Sequence, residues 1–478
     1  MIYLKPFKKG NSRSAKVFVE DFSSGISTVF HKTLTPLNVA TYSYNTDFKS
    51  GAIKEGAGVV RATYGEMQIA NFNIDGVSPV ALYYFKAYDQ ANERYLDYLL
   101  IYASDGNVYK NLLGSDDQFI LVNDLSFGGK PNAVTYNYGG KDVIIFSHEN
   151  VIKVYDGTTV LAITDAPAIT STCIHNERLF ATEGGQKTTL WFSDDFNPLN
   201  WNVSLEDAGY VDLRDGRGSL LKVVSFGGYV YVFRNYGITR ITAYGDQINF
   251  SVDGITSTSG KICKDSIAVC GDAIIYLACD GFYRFSGNST TRILTRLDGL
   301  LNDMDNENAK GCYFNGNYFC TLNLKDESGN LFQALLRYDL TRGTFTLSKN
   351  LGVIDYAVLE GENQFKLLLI CADNSAIGEL SNKSEYYGAT LEKSWHSGES
   401  DFGIKKEKRL TKLYLNTQTP VKVRVKCENG YRDLYFDGSE KRQFLPVGLR
   451  GQYFSFCIEC SNNTCLVSYL CAEFEYEG

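Results

Sequence analysis

The sequence predicts an all-β chain: a β-propeller of about seven blades with an N-terminal arm and a C-terminal β-sandwich-like domain. Three observations carry this expectation. A hairpin unit recurs at near-constant spacing, the aromatic usage favours strands, and helical periodicity is scarce.

The recurring unit is two short apolar-aromatic strands joined by a Gly, Asp or Asn turn. It appears as DYLLIYASDGNVYK from Asp97, KDVIIFSHENVIKVYDG from Lys141, NERLFATEGGQKTTLWFSDD from Asn176 and FGGYVYVFRNYGITRITAYGD from Phe226. It continues from Gly271, Asn315 and Asn363, so successive starts lie 44, 35, 50, 45, 44 and 48 residues apart. These spacings are closer to the roughly 40 to 50 residues of four-stranded propeller blades than to the roughly 20 to 29 of leucine-rich repeats. A lone hairpin cannot bury its apolar face, whereas sheets packed radially cover one another and leave short, protected edges. Stacked sandwiches with similar turn spacing are the competing architecture.

Aromatic usage points the same way. Tyr 33 and Phe 29 stand against Met 3 and Pro 8, and Gly 44 supplies turns. The best helical segment, around Leu294 to Asn308, falls in a connection. The propeller is assigned to residues 62–383. From about Ser384 the rhythm changes, and strands TKLYLNT, VKVRVKC, YRDLYF, QYFSFCIEC and CLVSYLCAEFEYEG predict a compact β-sandwich over 384–478. The turn ENG after Cys427 reads as a hairpin connection. Residues 1–61 match neither rhythm. They are expected to run as an arm along a neighbour or to lend a strand that closes the ring.

Charge and cysteine usage narrow the function. The net charge of −8 over 478 residues, with no long run of one sign, restricts any phosphate-binding surface to a local patch and argues against tight nucleic-acid binding. No segment approaches the roughly 18 to 20 apolar residues of a membrane helix, and the start of the chain lacks an apolar export signal, so folding in a cytoplasm is expected. All twelve cysteines lie from Cys173 onward and read as free, buried thiols. Cys457 and Cys460 have the C-x2-C spacing of zinc sites, with Cys465 and Cys471 nearby. Strand alternation around these four sends neighbouring side chains to opposite faces, which disfavours a shared metal.

Catalytic signatures are missing. His31, His148, His175 and His396 are far apart, and no Walker loop, nucleophile elbow or dinucleotide fingerprint occurs. Asp194 and Asp195 could in principle act as paired carboxylates, and SDDFNPLNW resembles the Asp-box turn of sialidases with its tryptophan one place late. The structural reading is that Asp194, Asn197 and Pro198 shape a tight turn that lets Trp191 and Trp201 pack. NDMDNEN, from Asn302 to Asn308, has the oxygens of a Ca²⁺ loop without the glycine at its bend and reads as a solvated loop. No catalytic, cofactor-binding or metal residue is assigned, no cofactor is expected, and the chain is read as non-enzymatic.

Three stretches carry a family resemblance. DFSSGISTVF with NTDFKSGAIKEGAG, at Asp21 to Gly58, resembles the opening of bacteriophage neck and tail proteins, with Glu55 and Ala57 in place of the usual basic residue and proline. NERLFATEGGQKTTLWFSDDFNPLNWN, at Asn176 to Asn202, resembles the mid-propeller of the packaged-DNA stabilization (tail hub or nozzle) proteins of short-tailed phages. SGESDFGIKKEKRLTKLYLNT and LPVGLRGQYFSFCIECSNNTCLVSYLCAEFEY resemble the terminal β-domain of such proteins.

The resemblance implies a structural virion protein of the neck or tail, a head-to-tail connector assembled in the host cytoplasm. It would form a ring of its own copies, a hexamer by resemblance, against portal-adjacent adaptor and other tail proteins. Double-stranded DNA would pass without tight binding, and nothing would insert in a membrane. The competing functions are a receptor- or glycan-binding propeller of a tail tip or cell surface, and a carbohydrate-active enzyme.

Overall fold

Short alternating strands separated by glycine-bearing turns fold the middle of the chain into consecutive antiparallel sheets, each a propeller blade. The computed structural model describes residues 5–477 except 10, 11, 30, 164, 165, 186, 205, 206, 259, 302–304, 327, 328, 363, 440 and 441, and for 5–9 and 12 the backbone alone. The first strand of each blade lies on the axis: Pro79–Asp89, Asn132–Tyr138, Ile169–His175, Leu220–Phe226, Ala268–Cys270, Gly311–Phe314 and Val353–Gly361. Blades 1 to 7 are numbered in that order. All seven recurring hairpins are the second and third strands of a blade, as in Arg94–Ala103 with Asn107–Leu112 and Gln364–Cys371 with Asn374–Ser381.

Turn chemistry fixes the hairpins that leave the axis. Gly139-Gly140, Gly227-Gly228 and Asn315-Gly316 all have positive φ at both positions. This is the conformation of the two-residue turn whose twist matches the flanking strands.

The seventh blade is completed from the other end of the chain. Gly58–Arg61 pairs antiparallel with Asn374–Ser381, Val59 opposite Leu380, and serves as that blade's outer strand. Blade 7 then packs on blade 1, where Asp355 Oδ2 accepts the Leu82 N–H at 3.1 Å, and the ring is closed. The hairpin Glu385–Tyr386 and Ala389–Thr390 extends this sheet past residue 383, the expected end of the propeller.

The segment ahead of this closing strand is paired as well. One sandwich sheet runs in the order Lys5–Lys9, Ser12–Val19, Leu466–Glu477, Lys408–Thr417 and Gln443–Gly451, with Ile53–Glu55 also paired to Leu466–Glu477. The other runs Ala40–Tyr44, Lys393–Ser397, Phe454–Cys460, Val421–Cys427 and Gly430–Phe436. The N-terminal segment thus supplies strands to both sandwich sheets before it closes the propeller. Ser12–Val19, Ala40–Tyr44 and Ile53–Glu55 pair with residues hundreds of positions away, so local periodicity does not reveal their partners. The helical segment proposed near Leu294 is a 3-10 turn, Thr295–Leu297, running into the short helix Asp298–Leu301. Positions 302–304 of the loop weighed for calcium lie outside the described residues.

Sandwich and propeller share one apolar core. Trp395, edge-on to Phe22 at 5.2 Å, belongs to the same buried cluster as Leu413, Val423 and Phe474 of the sandwich and Leu322, Leu336 and Leu347 of blade 6. Blade 6 presents its outer strand, Thr344–Lys349, to this junction, where Asn45 N–H donates to Leu347 O at 2.8 Å. Lys49 pairs with Asp339 at 2.9 Å nearby.

Two outcomes follow from this architecture. Trp395 is 1% exposed, and Trp395→Ala should cost about 3–5 kcal/mol. In that variant only Trp191 and Trp201 remain to fluoresce, and they report blade 3. Because the core is continuous, their urea midpoint should fall together with that of far-UV circular dichroism, and separated midpoints would refute the shared core. At Gly58 a Cβ would meet the backbone oxygens of Lys383 and Glu385. Gly58→Ala should therefore loosen the closing strand at a cost of about 1–3 kcal/mol, read as earlier hydrogen exchange in blade 7.

Candidate functional site

The seven axial strands enter from one end, and at that end five of them carry charge. Lys130 precedes the axial strand of blade 2, Lys222 lies near the start of that of blade 4, and Lys264 and Asp265 precede blade 5. Lys310 precedes blade 6, and Asp355 lies at the third position of blade 7. Members on successive charged blades lie between 42 and 92 residues apart in sequence, so only ring closure assembles them. They line one cavity of about 290 Å³ together with Asn132 and Thr170. It continues along the axis into a wider section of about 680 Å³ walled by Ile144, Val223 and Tyr356.

The internal pairing is uneven. Asp355 is buried and holds Lys130 at 3.3 Å and Lys310 at 3.6 Å, besides accepting the Leu82 N–H. Lys222 and Lys264 donate to main-chain carbonyls, Ile267 O at 2.8 Å and Thr170 O at 2.7 Å. Four ammonium groups against two carboxylates leave a formal charge of +2 in a chain whose net charge is −8.

The titration directions agree with this crowding. Enclosure pushes the Lys222 ammonium down to about 8, opposed by Asp265 and assisted by Lys264 and Lys130. Burial also lowers Lys264 and Lys310. Burial would raise the carboxyl of Asp265, but the surrounding lysines outweigh it and hold that carboxyl below the usual range. At Lys130, burial is outweighed by Asp355 and Asp265, and its value rises.

Sequence reading did not find this cluster. The hairpins are the loudest signal, and the axial strands lie upstream of them behind irregular connections. Once the hairpins are taken as second and third strands, the residues just ahead of each preceding strand become the ones to inspect.

The residues weighed from sequence fall elsewhere. Asp194 and Asn197 do shape a turn: the Asn200 amide donates to Asp194 Oδ2 at 3.0 Å, Leu199 N–H donates to Asn197 Oδ1 at 3.3 Å, and Phe196 has φ of 55°. Trp201 is buried and Trp191 stacks obliquely on Tyr210 at 5.0 Å. The carboxylates of Asp194, Asp195 and Asp207 lie within 4.8 Å of one another, with Arg178 3.9 Å from Asp195. Burial, Asp207 and Asp194 raise the Asp195 carboxyl against the pull of Arg178.

The four clustered cysteines divide. Cys460 and Cys465 lie in the shared core with their thiols hydrogen-bonded, while Cys457 and Cys471 are buried outside it. Cys457 Sγ instead approaches Glu459 Oε1 at 3.6 Å. The hydrogen bond between Cys460 and Cys465 lowers Cys460, aided by Lys393, and raises Cys465. His175 is buried against Ser225 and His31 caps a 3-10 turn, so the histidines converge on no common site.

Among known proteins, no family model and no curated protein matches this chain. Solved structures resemble its fold. BBS1N, crystallised in complex with ARL6DN, is 9% identical, covers 65% of this chain and 97% of its own, with a TM-score of 0.40. Hsv2p of Kluyveromyces lactis is 10% identical, covers 53% of this chain and 81% of its own, with a TM-score of 0.31. Both are β-propellers, and the likeness is one of fold alone.

The enclosed lysine gives a signed pH effect. Between about 8 and the ordinary lysine value the unfolded chain keeps a proton that folded Lys222 has released, so this residue makes stability rise with pH across that window. Below about 8 the cost of enclosing the charge is fully present. Lys222→Met should flatten the rise, read as urea midpoints from about pH 7 to about pH 10.

Proposed function

We propose that the chain is a structural virion protein of a bacteriophage neck or tail, a connector, tail hub or nozzle. In this reading it assembles with its own copies into a ring, extends the DNA channel and helps retain packaged DNA. It acts by shape and contact rather than by turnover. DNA passes through the lumen between protomers, because the cavities described on the propeller's own axis, about 290 and 680 Å³, are too small for a duplex.

One observation carries the proposal. The phrase at Asn176 to Asn202, the most specific of the three resemblances, folds into blade 3, whose outer loop presents Phe196 at 69% exposure. The neighbouring loop of blade 4 presents Tyr244 and Ile248, 81% and 87% exposed, and the outer strand of blade 3 adds Tyr210. Contacts join these elements: the Asn176 amide donates to Ala243 O at 3.2 Å, and Phe250 packs on Phe192 at 5.2 Å. Large apolar side chains gathered on the edge of a rigid block are what a subunit needs to bury against a neighbour. The continuous core supplies the rigidity.

Negative-stain imaging and sedimentation of the purified chain, alone and with portal-adjacent proteins of its source, test this reading. Rings or stoichiometric complexes are expected, and the double variant Tyr244→Glu, Ile248→Glu should shift their formation to at least tenfold higher concentration. Absence of the chain from assembled virions, or saturable glycan binding by a subunit that stays monomeric, would overturn it.

A further inference from the structure

We infer that the charged end of the propeller axis is a binding site for a compact oxyanion of the phosphate class, either free phosphate or the phosphate group of a small monoester. The inference stands on the cavity and not on the virion role.

The lysines approach from blades 2, 4, 5 and 6, so their ammonium groups surround the cavity instead of forming one face of it. Asp355 is already committed to Lys130, Lys310 and a main-chain N–H. Lys222 and Lys264 each have one acceptor, a carbonyl. An ammonium has three donors, and a carbonyl carries no compensating charge. Asp355 leaves one ammonium of Lys130 and Lys310 uncompensated, and Asp265 leaves one of Lys222 and Lys264, so the local excess of +2 asks for a dianion.

Geometry selects the class. No arginine lines the cavity, so the planar fork that matches a carboxylate is missing, whereas lysines act as point charges around a tetrahedral anion. A volume of about 290 Å³ accommodates such an anion, and the wider section beyond it, with Ile144, Val223 and Tyr356, offers an apolar wall to a small organic substituent. Nucleic acid duplex does not fit this space. Occupancy would link four blades across the axis and so stiffen the ring.

The test uses the full chain near neutral pH at constant ionic strength, with sodium chloride exchanged for inorganic phosphate in one arm and for phenyl phosphate in the other. Calorimetric titration should give one saturable site per chain, with a thermal midpoint that rises and then levels off. Tighter binding of phenyl phosphate assigns the monoester, and equal binding assigns the free anion. The double variant Lys222→Met, Lys264→Met should weaken binding at least tenfold. Asp265→Asn removes a negative charge from the same wall and should tighten it several-fold, which keeps the test decisive if the lysine variant folds poorly. A midpoint that climbs without saturation, or affinity unchanged in Asp265→Asn, would overturn the assignment.

Discussion

Everything in this molecule depends on how a ring of sheets is shut. A propeller blade buries its two faces against its neighbours, so the first and last blades must meet or leave an apolar face and an open edge in water. Here the last blade lacks an outer strand until Gly58–Arg61 arrives from the N-terminal side. Main-chain hydrogen bonds between the two ends of the chain then hold the ring, and the buried side chain of Val59 adds packing.

That solution determines the rest of the architecture. The chain must pass the rim of blade 7 on its way in and leave the same rim on its way out, which brings both termini to one place. The sandwich is the consequence: strands from residues 12–55 and from 393–477 interleave in its two sheets. The sandwich lies over the outer strand of blade 6, and a single cluster runs from Trp395 to Leu322. The edge of blade 7 and one side of Leu466–Glu477 are thereby covered by the N-terminal segment. Ring closure also gathers Lys130, Lys222, Lys264, Lys310, Asp265 and Asp355, which have no proximity without it.

Legibility from sequence followed the range of the interactions. Hairpins such as Tyr229–Arg234 with Gly237–Thr242 are made by adjacent residues, so alternation and turn chemistry revealed all seven and with them the blade number. The five sandwich strands named beforehand are also local in pattern, though Gln443–Gly451 was missed because proline and glycine interrupt its alternation. The segments that pair across the whole chain, Ser12–Val19 with Leu466–Glu477 above all, have no local mark that names their partner. The axial charges failed to stand out for a similar reason. A single lysine ahead of a strand is ordinary, and only the sevenfold arrangement makes four of them neighbours. The tight turn at Asp194 was readable because its hydrogen bonds run over a few residues.

The interleaving of the ends also sets a timetable. Val59 cannot meet Leu380 until roughly 320 more residues have been made, on the order of half a minute at roughly 5–20 residues per second. Blades 1 to 6 can form as they emerge, but the first segment has to wait, exposing Val17, Val19, Phe22 and Val59, all of which are buried in the finished protein. Folding is thus postponed at one end and completed from the other. Solubility during synthesis depends on an unpaired stretch in which serine, lysine and glycine are interspersed among the apolar residues.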